Sequence, residues 1–199
     1  MRIGWLLGWA APEGWFRPMA EAAFPGAEHA FFAAAPGAAE RLAEGGFERC
    51  AGYSLGTLLL LEAADLFRGR EVTLLAPILA FPREERLGGR VSRTQLKVLE
   101  RWLRHDPLAA LADFYERAAL RVPPGQDPGL PENLLWGLER LEHGRVAPPL
   151  PAGWRGWCGE EDPLLNAGRL AGLDPAIRVV SRAGHHPRAL LQAWAEAGA

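Results

Sequence analysis

The sequence predicts an α/β fold: a mainly parallel sheet of about six strands flanked by helices, with a helical insertion between the fourth and fifth strands. Three observations carry this expectation. Short apolar runs alternate with helical runs, a pattern that needs crossover connections and therefore parallel pairing. Between Pro82 and Pro151 the strand-like runs stop and helical spacing takes over. A glycine-flanked serine, Gly52-Tyr53-Ser54-Leu55-Gly56, stands between an apolar run and a leucine-rich helical run. Residues 1–82 and 151–199 are expected to form the core, and residues 83–150 a lid.

Taken in order, Ile3 to Leu7 reads as a buried strand and Gly8 to Pro12 as a loop. Trp15 to Ala23 reads as a helix that stops before Pro25-Gly26, and Glu28 to Phe32 as the second strand. Ala38 to Glu44 is a short helix closed by Gly45-Gly46. Phe47 to Ala51 is the third strand. The helix from Gly56 to Phe67 is apolar almost all round, so it should be buried against the sheet. Glu71 to Ala76, Trp154 to Cys158 and Ile177 to Ser181 supply the remaining strands, with helices over Leu164–Leu173 and from Pro187 to about Glu196. Within the insertion, helices are expected at Arg93–Arg104, Pro107–Leu120 and Pro131–His143, separated by Pro123-Pro124-Gly125 and Pro148-Pro149.

Composition removes several function classes. The chain has 199 residues, enough for one domain with an inserted subdomain, and 22 basic residues stand against 24 acidic ones. That balance gives no electrostatic footprint for nucleic acid. No apolar run approaches the ~20 residues of a membrane span. Met1-Arg2 leads straight into the first strand without a signal-type apolar segment and cleavage site, so a cytoplasmic protein is expected. Cys50 and Cys158 fall in strands and read as reduced core thiols. The histidines show no metal-ligand spacing, and the glycine segment lacks the third glycine of a dinucleotide fingerprint. No metal and no cofactor are therefore expected.

The Gly-x-Ser-x-Gly segment points to nucleophilic chemistry. A serine presented on a sharp strand-to-helix turn stands clear of the backbone, and the helix behind it aims N–H groups at a developing oxyanion. The flanking positions are crowded, so glycine is required there. A serine hydroxyl needs a histidine base, and the histidine needs a carboxylate to fix its tautomer. His185 and His186 follow the last strand. His185, directly after Gly184, is the favoured base, and His186 would face solvent or back the site. Glu160, Glu161 and Asp162 follow the fifth strand. Asp162 is favoured because Pro163 can begin the next helix; Glu161 is the fallback, and a plain helix cap is the other reading.

The order Ser54, Asp162, His185 and this elbow resemble the α/β-hydrolase superfamily, over essentially the whole chain. The resemblance implies that these three residues form a catalytic triad. It implies an oxyanion hole from the backbone N–H of Leu55 and of the loop after the first strand, Trp9 or else Ala10. The family's common His-Gly pair in that loop is replaced by Gly8-Trp9, and its two leading antiparallel strands are missing. Gly8-Trp9 together with the elbow is similar to the pimeloyl-ACP methyl ester esterases of biotin synthesis, with Tyr53 where those enzymes have Trp. That similarity implies a small acyl ester as substrate, carried on an acyl carrier protein. Arg93, Lys97 and Arg101, spaced by four on the first insertion helix behind the capping box Ser92-Arg93-Thr94-Gln95, are the candidate carrier-binding residues. The competing reading of these residues is a solvated helix face. General carboxylesterases, acyl thioesterases and a non-catalytic binding protein share the fold and remain open. Leu108, Leu111, Phe114, Tyr115, Leu134, Leu135 and Trp136 either line an acyl pocket or form the lid's own packing face.

Overall fold

A computed structural model describes residues 1–198. Six strands, β1 (Arg2–Leu6), β2 (Glu28–Phe32), β3 (Arg49–Tyr53), β4 (Glu71–Leu75), β7 (Arg155–Gly159) and β8 (Ile177–Val180), form one sheet. Two further short strands, β5 (Ala80–Pro82) and β6 (Gly88–Val91), lie between β4 and β7. The order in the main sheet is β2-β1-β3-β4-β7-β8, and every neighbouring pair is parallel. Parallel strands buried on both faces explain the near-continuous apolar runs seen in the sequence.

The helices are α1 (Glu13–Ala23), α2 (Ala38–Glu44), α3 (Leu55–Glu62), α4 (Arg93–His105), α5 (Pro107–Arg117), α6 (Pro131–His143), α7 (Ala167–Leu173) and α8 (Pro187–Ala197). Alternation along β1 assigns the inner ones to faces. The Trp5 ring meets Phe16 of α1 at 5.4 Å and Trp194 of α8 at 5.5 Å, edge to face in both cases. Gly4 points the other way, into Leu42 of α2. Gly52, in register with Leu6 and so on the face of Gly4, abuts Leu60 of α3. Thus α1 and α8 cover one face, and α2 and α3 the other. Both cysteines are buried and free.

Three expectations are corrected. The leucine-rich helix ends at Glu62, and Ala64–Phe67 is a separate 3-10 turn. The helix after β7 starts at Ala167 rather than Leu164, because the Asn166 side chain accepts from Arg169 N–H at 2.9 Å and caps it. The insertion is not purely helical, since β5 and β6 pair in parallel there. That pairing depends on Gly89, where a Cβ would lie 1.8 Å from Phe81 O. Segments of three and four residues are too short to show a period in sequence. Leu96 and Leu103 of α4, Leu111 of α5, and Leu134, Leu138 and Leu141 of α6 join the same apolar core as the sheet. No helix among the described residues is long and apolar enough to cross a membrane.

The strand order reverses between β1 and β3, and the carboxyl ends of those two strands open onto the crevice where ligands bind in such sheets. The β3–α3 turn there leaves no room for substitution. A Cβ on Gly56 would sit 2.0 Å from Leu6 O and 2.6 Å from Leu6 C, both backbone atoms of a central strand. Gly56→Ala should destabilise the fold by about 1–3 kcal/mol, as overpacking does, read as a lowered urea midpoint at unchanged slope.

Candidate active site

Ser54 occupies a backbone conformation that L-residues rarely adopt, with φ 52° and ψ −119°. The surrounding bonds hold it there. Ser54 N–H donates to Leu75 O on β4 at 2.9 Å. Ser54 O accepts from Thr57 N–H at 2.8 Å and Thr57 Oγ1–H at 2.7 Å, and Thr57 Oγ1 in turn accepts from Ile78 N–H at 2.8 Å. A strained residue fixed by its neighbours in this way is a mark of a functional turn. Close packing of the elbow supplies the rest: a Cβ on Gly52 would lie 2.9 Å from the backbone of Gly56.

The structure brings Ser54, His185 and Asp162 together. Ser54 Oγ lies 3.0 Å from His185 Nε2, and His185 Nδ1 lies 2.7 Å from Asp162 Oδ2. His185 and Asp162 are fully enclosed, at 1% and 0% exposure, whereas Ser54 retains 8%. The other Asp162 oxygen, Oδ1, accepts from Leu164 N–H at 2.8 Å and Leu165 N–H at 3.0 Å. With Asp162 ionised, the Nδ1–H tautomer of His185 donates to it, which leaves Nε2 to accept the serine proton. Because Asn166 caps α7, the Asp162 carboxylate is free for this role. Glu161 is exposed, and its N–H donates to Ala183 O at 2.8 Å, tying the Asp162 loop to the His185 loop.

His186 does a different job. It sits at the N-cap of α8, where Nδ1 accepts from Arg188 N–H at 3.3 Å, and its ring meets Trp15 edge-on at 5.4 Å. Burial lowers its pKa below the usual histidine value, and the charges of Arg188, Arg121 and His185 push the same way. Tyr53 holds His185 from behind. Its hydroxyl donates to His185 O at 3.0 Å, and the two rings lie 5.5 Å apart. Burial raises the Tyr53 phenol well above its ordinary pKa, and the Asp162 charge adds to this, so it stays a donor. The sequence showed the aromatic at position 53 but not this hydroxyl contact, which spans 132 residues.

Leu55 opens α3, so its N–H has no intrahelical acceptor. The Trp9 and Ala10 N–H groups donate no hydrogen bond among the described residues. Both lie in the loop after β1, and Gly8 in that loop approaches Ser54 closely, a Cβ there falling 3.0 Å from Ser54 Cβ. Helices α6 and α5 hold this loop. Trp9 Nε1–H donates to Leu134 O of α6 at 2.7 Å, and Tyr115 O–H of α5 donates to Ala10 O at 2.7 Å. Burial pushes the Tyr115 phenol up to about 12. These clamps have no local signal in the sequence, since each joins residues more than a hundred positions apart.

A cavity of about 410 Å³ lies between α4, α5, α6 and the core. Trp9, Pro163 and Leu164 line it together with the apolar Phe81, Leu99 and Phe114, whereas Ser54, Asp162 and His185 do not. Of the seven apolar residues of the insertion considered from sequence, only Phe114 lines it. Leu108, Leu111 and Tyr115 border a separate groove, and Trp136 another. The candidate carrier-binding residues stand elsewhere. Arg93 pairs with Glu85, Lys97 lies 3.6 Å from Glu142, and Arg101 is exposed without an acidic partner among the described residues. They run one residue out of phase with Thr94, Val98 and Trp102, which do line the cavity, and one residue turns a helical side chain by about 100°. No group of three or more metal-ligating side chains occurs among the described residues.

No model of a protein family matches the sequence, and no curated protein matches it. Solved structures do match. A thermophilic esterase from Thermogutta terrifontis superposes with a TM-score of 0.69 at 13% identity, over 98% of this chain and 88% of that one. The bottromycin epimerase BotH gives 0.67 at 13% identity, over 100% and 90%. BioG from Haemophilus influenzae gives 0.63 at 12% identity, over 98% and 93%.

Two outcomes are expected at this site. Tyr53→Phe should loosen the His185 loop, which loses the bond from the Tyr53 hydroxyl to His185 O; faster amide hydrogen exchange over residues 183–186 checks this. For His186 the sign follows from its lowered pKa. The unfolded chain binds the proton more readily, so the His186 contribution is present above the unfolded value of about 6.5 and is lost as pH falls through the folded value. Urea midpoints of the wild type should fall more steeply from neutral to mildly acidic pH than those of His186→Asn, which caps the helix without titrating. The parallel sheet with its switch point, the strained serine turn after β3 and the structural matches together show that the chain has the α/β-hydrolase fold.

Proposed function

We propose that this chain is a serine hydrolase that cleaves a carboxylic ester through an acyl-enzyme. The observation that carries the proposal is the unbroken relay from Ser54 Oγ to His185 at 3.0 Å and from His185 to Asp162 at 2.7 Å. Ser54 Oγ attacks the ester carbonyl as His185 Nε2 takes its proton. Asp162 holds the imidazole in the required tautomer and stabilises the imidazolium. The Leu55 N–H, with the Trp9 N–H of the facing loop, receives the negative charge on the tetrahedral oxygen. His185 then gives the proton to the departing alkoxide, leaving an ester on Ser54. Water, deprotonated by the same histidine, releases the acid and restores the hydroxyl. In this reading residues 83–150 act as the lid and roof the cavity. The buried free thiols suit a cytoplasmic enzyme.

A second reading, a methyl esterase acting on an acyl group carried by acyl carrier protein, draws support from the Gly8-Trp9 segment and from the elbow. The match to BioG is a likeness of fold. The ion pairs of Arg93 and Lys97 weigh against it, because only Arg101 of the three is left without an acidic partner. A small-molecule ester is therefore the favoured substrate class, with carrier-linked esters and thioesters as the competing ones.

Intact-mass labelling with a fluorophosphonate, followed by peptide mapping, tests the reading before any substrate is chosen. A single adduct on Ser54 is expected. His185→Ala should abolish labelling and lower ester turnover by at least about 10³-fold, the scale seen when a triad base is removed. Folded protein that takes no label would move the chain to the non-catalytic members of the fold. Charge reversal at Arg93, Lys97 and Arg101 should affect carrier-linked and small esters alike; selective loss on the carrier-linked ester would favour the second reading.

A further inference from the structure

The cavity between α4, α5, α6 and the core, which Trp9 of the loop after β1 and Leu164 of the Asp162 segment also line, is apolar over most of its wall but not all of it. Three charged side chains line it: Arg90, Asp113 and Arg117. Asp113 and Arg117 neutralise each other, with Oδ2 2.7 Å from Nε. Arg90 has no acidic partner among the described residues. Two uncharged donors border the same part of the chain, Thr94 and Gln95 on the first turn of α4. The Gln95 carbonyl is already used, since Oε1 accepts from Ser92 N–H at 2.8 Å and from Ser92 Oγ–H at 3.0 Å. Its amide NH₂ remains free to donate.

Arg90 is also held in place. Its own N–H donates to Leu164 O at 2.9 Å, and Asn166 N–H donates to Gly88 O at 2.7 Å. Gly89 forms an antiparallel bridge with Leu165. Leu164 and Leu165 are the residues whose N–H groups bind Asp162. The strand carrying Arg90 is thus stitched to the segment that sets the catalytic carboxylate, which fixes the Arg90 backbone relative to Asp162, while its side chain is exposed. Its field reaches inward: burial pushes the Cys158 thiol up, the Asp162 charge adds to this, and Arg90 opposes it.

An apolar cavity with one uncompensated guanidinium and two neutral donors matches a chain that is greasy along its length and anionic at its far end. We propose that the preferred substrates are half-esters of linear dicarboxylic acids, with the ester at Ser54 and the free carboxylate at Arg90, assisted by Thr94 and Gln95. Arg90 is then a specificity residue. A guanidinium binds a carboxylate through two parallel charge-assisted bonds, which a neutral chain end cannot form. The placement of the ester rests on the hydrolase reading above; the anion site itself does not.

The test uses monomethyl esters of the acids from succinic to sebacic, each paired with a neutral methyl ester of equal chain length. For at least one length the half-ester should give a kcat/KM about tenfold or more above its neutral partner, the scale of one charge-assisted bond. Arg90→Gln should erase that preference by raising KM for the half-ester alone, and Arg90→Lys should keep part of it. Equal kcat/KM within every pair, or a loss in Arg90→Gln that is the same for both members, overturns the proposal. Calorimetric binding of the same esters to Ser54→Ala reads the anion site without turnover. Half-esters should bind more tightly there in an Arg90-dependent way, and equal affinity overturns the proposal. Fluorophosphonate labelling of wild-type Ser54 reports separately on the hydrolase reading, so an inert serine with Arg90-dependent binding would remove catalysis and keep the anion site.

Discussion

The backbone of Ser54 is the constraint on which the rest of the site depends. A residue with φ 52° costs of order 1–3 kcal/mol, and it persists only because β3, β4 and α3 all hold it. Leu75 O takes its N–H, Thr57 takes its carbonyl, and Gly52 and Gly56 let the strand and helix close to backbone contact. Relaxing the turn would move the hydroxyl away from His185. The central strands thus set the position of the Ser54 hydroxyl, and the flanking helices set the strands.

The remaining groups arrive on loops that are cross-braced rather than independent. Asp162 is bound by the two N–H groups that follow it, and its loop is tied to the His185 loop through Glu161 and Ala183. Tyr53 reaches from the elbow to His185 O. The loop after β1 is held by α6 at Trp9 and by α5 at Ala10. The insertion is therefore a structural partner of the loop after β1.

Charge is distributed with similar economy. The basic stripe on α4 looks like a partner surface when its residues are counted along the helix. In three dimensions Arg93 and Lys97 meet Glu85 and Glu142, which come from outside that helix. Arg90, one residue among many arginines in the sequence, is the cation left unmatched at the cavity. Exposed pairs contribute little to stability, so the consequence of these pairings is the local field they leave behind.

The sequence by itself determined the fold class, the strand-to-helix elbow and the order of the three site residues. These are written in local patterns: apolar runs of strand length, a helix apolar on all sides, and glycines where only glycine fits. It also ranked His185 above His186 and Asp162 above Glu161, and the structure brings the favoured pair to Ser54. It did not reveal β5 and β6, whose pairing rests on a close approach at Gly89 rather than on periodicity. It did not reveal the Tyr53, Trp9 and Tyr115 contacts, because each joins residues far apart in the chain. Which residues of the insertion line the cavity, and which arginine there lacks a partner, were decided only by tertiary structure, since both depend on how α4, α5 and α6 rotate about their axes when they settle on the core.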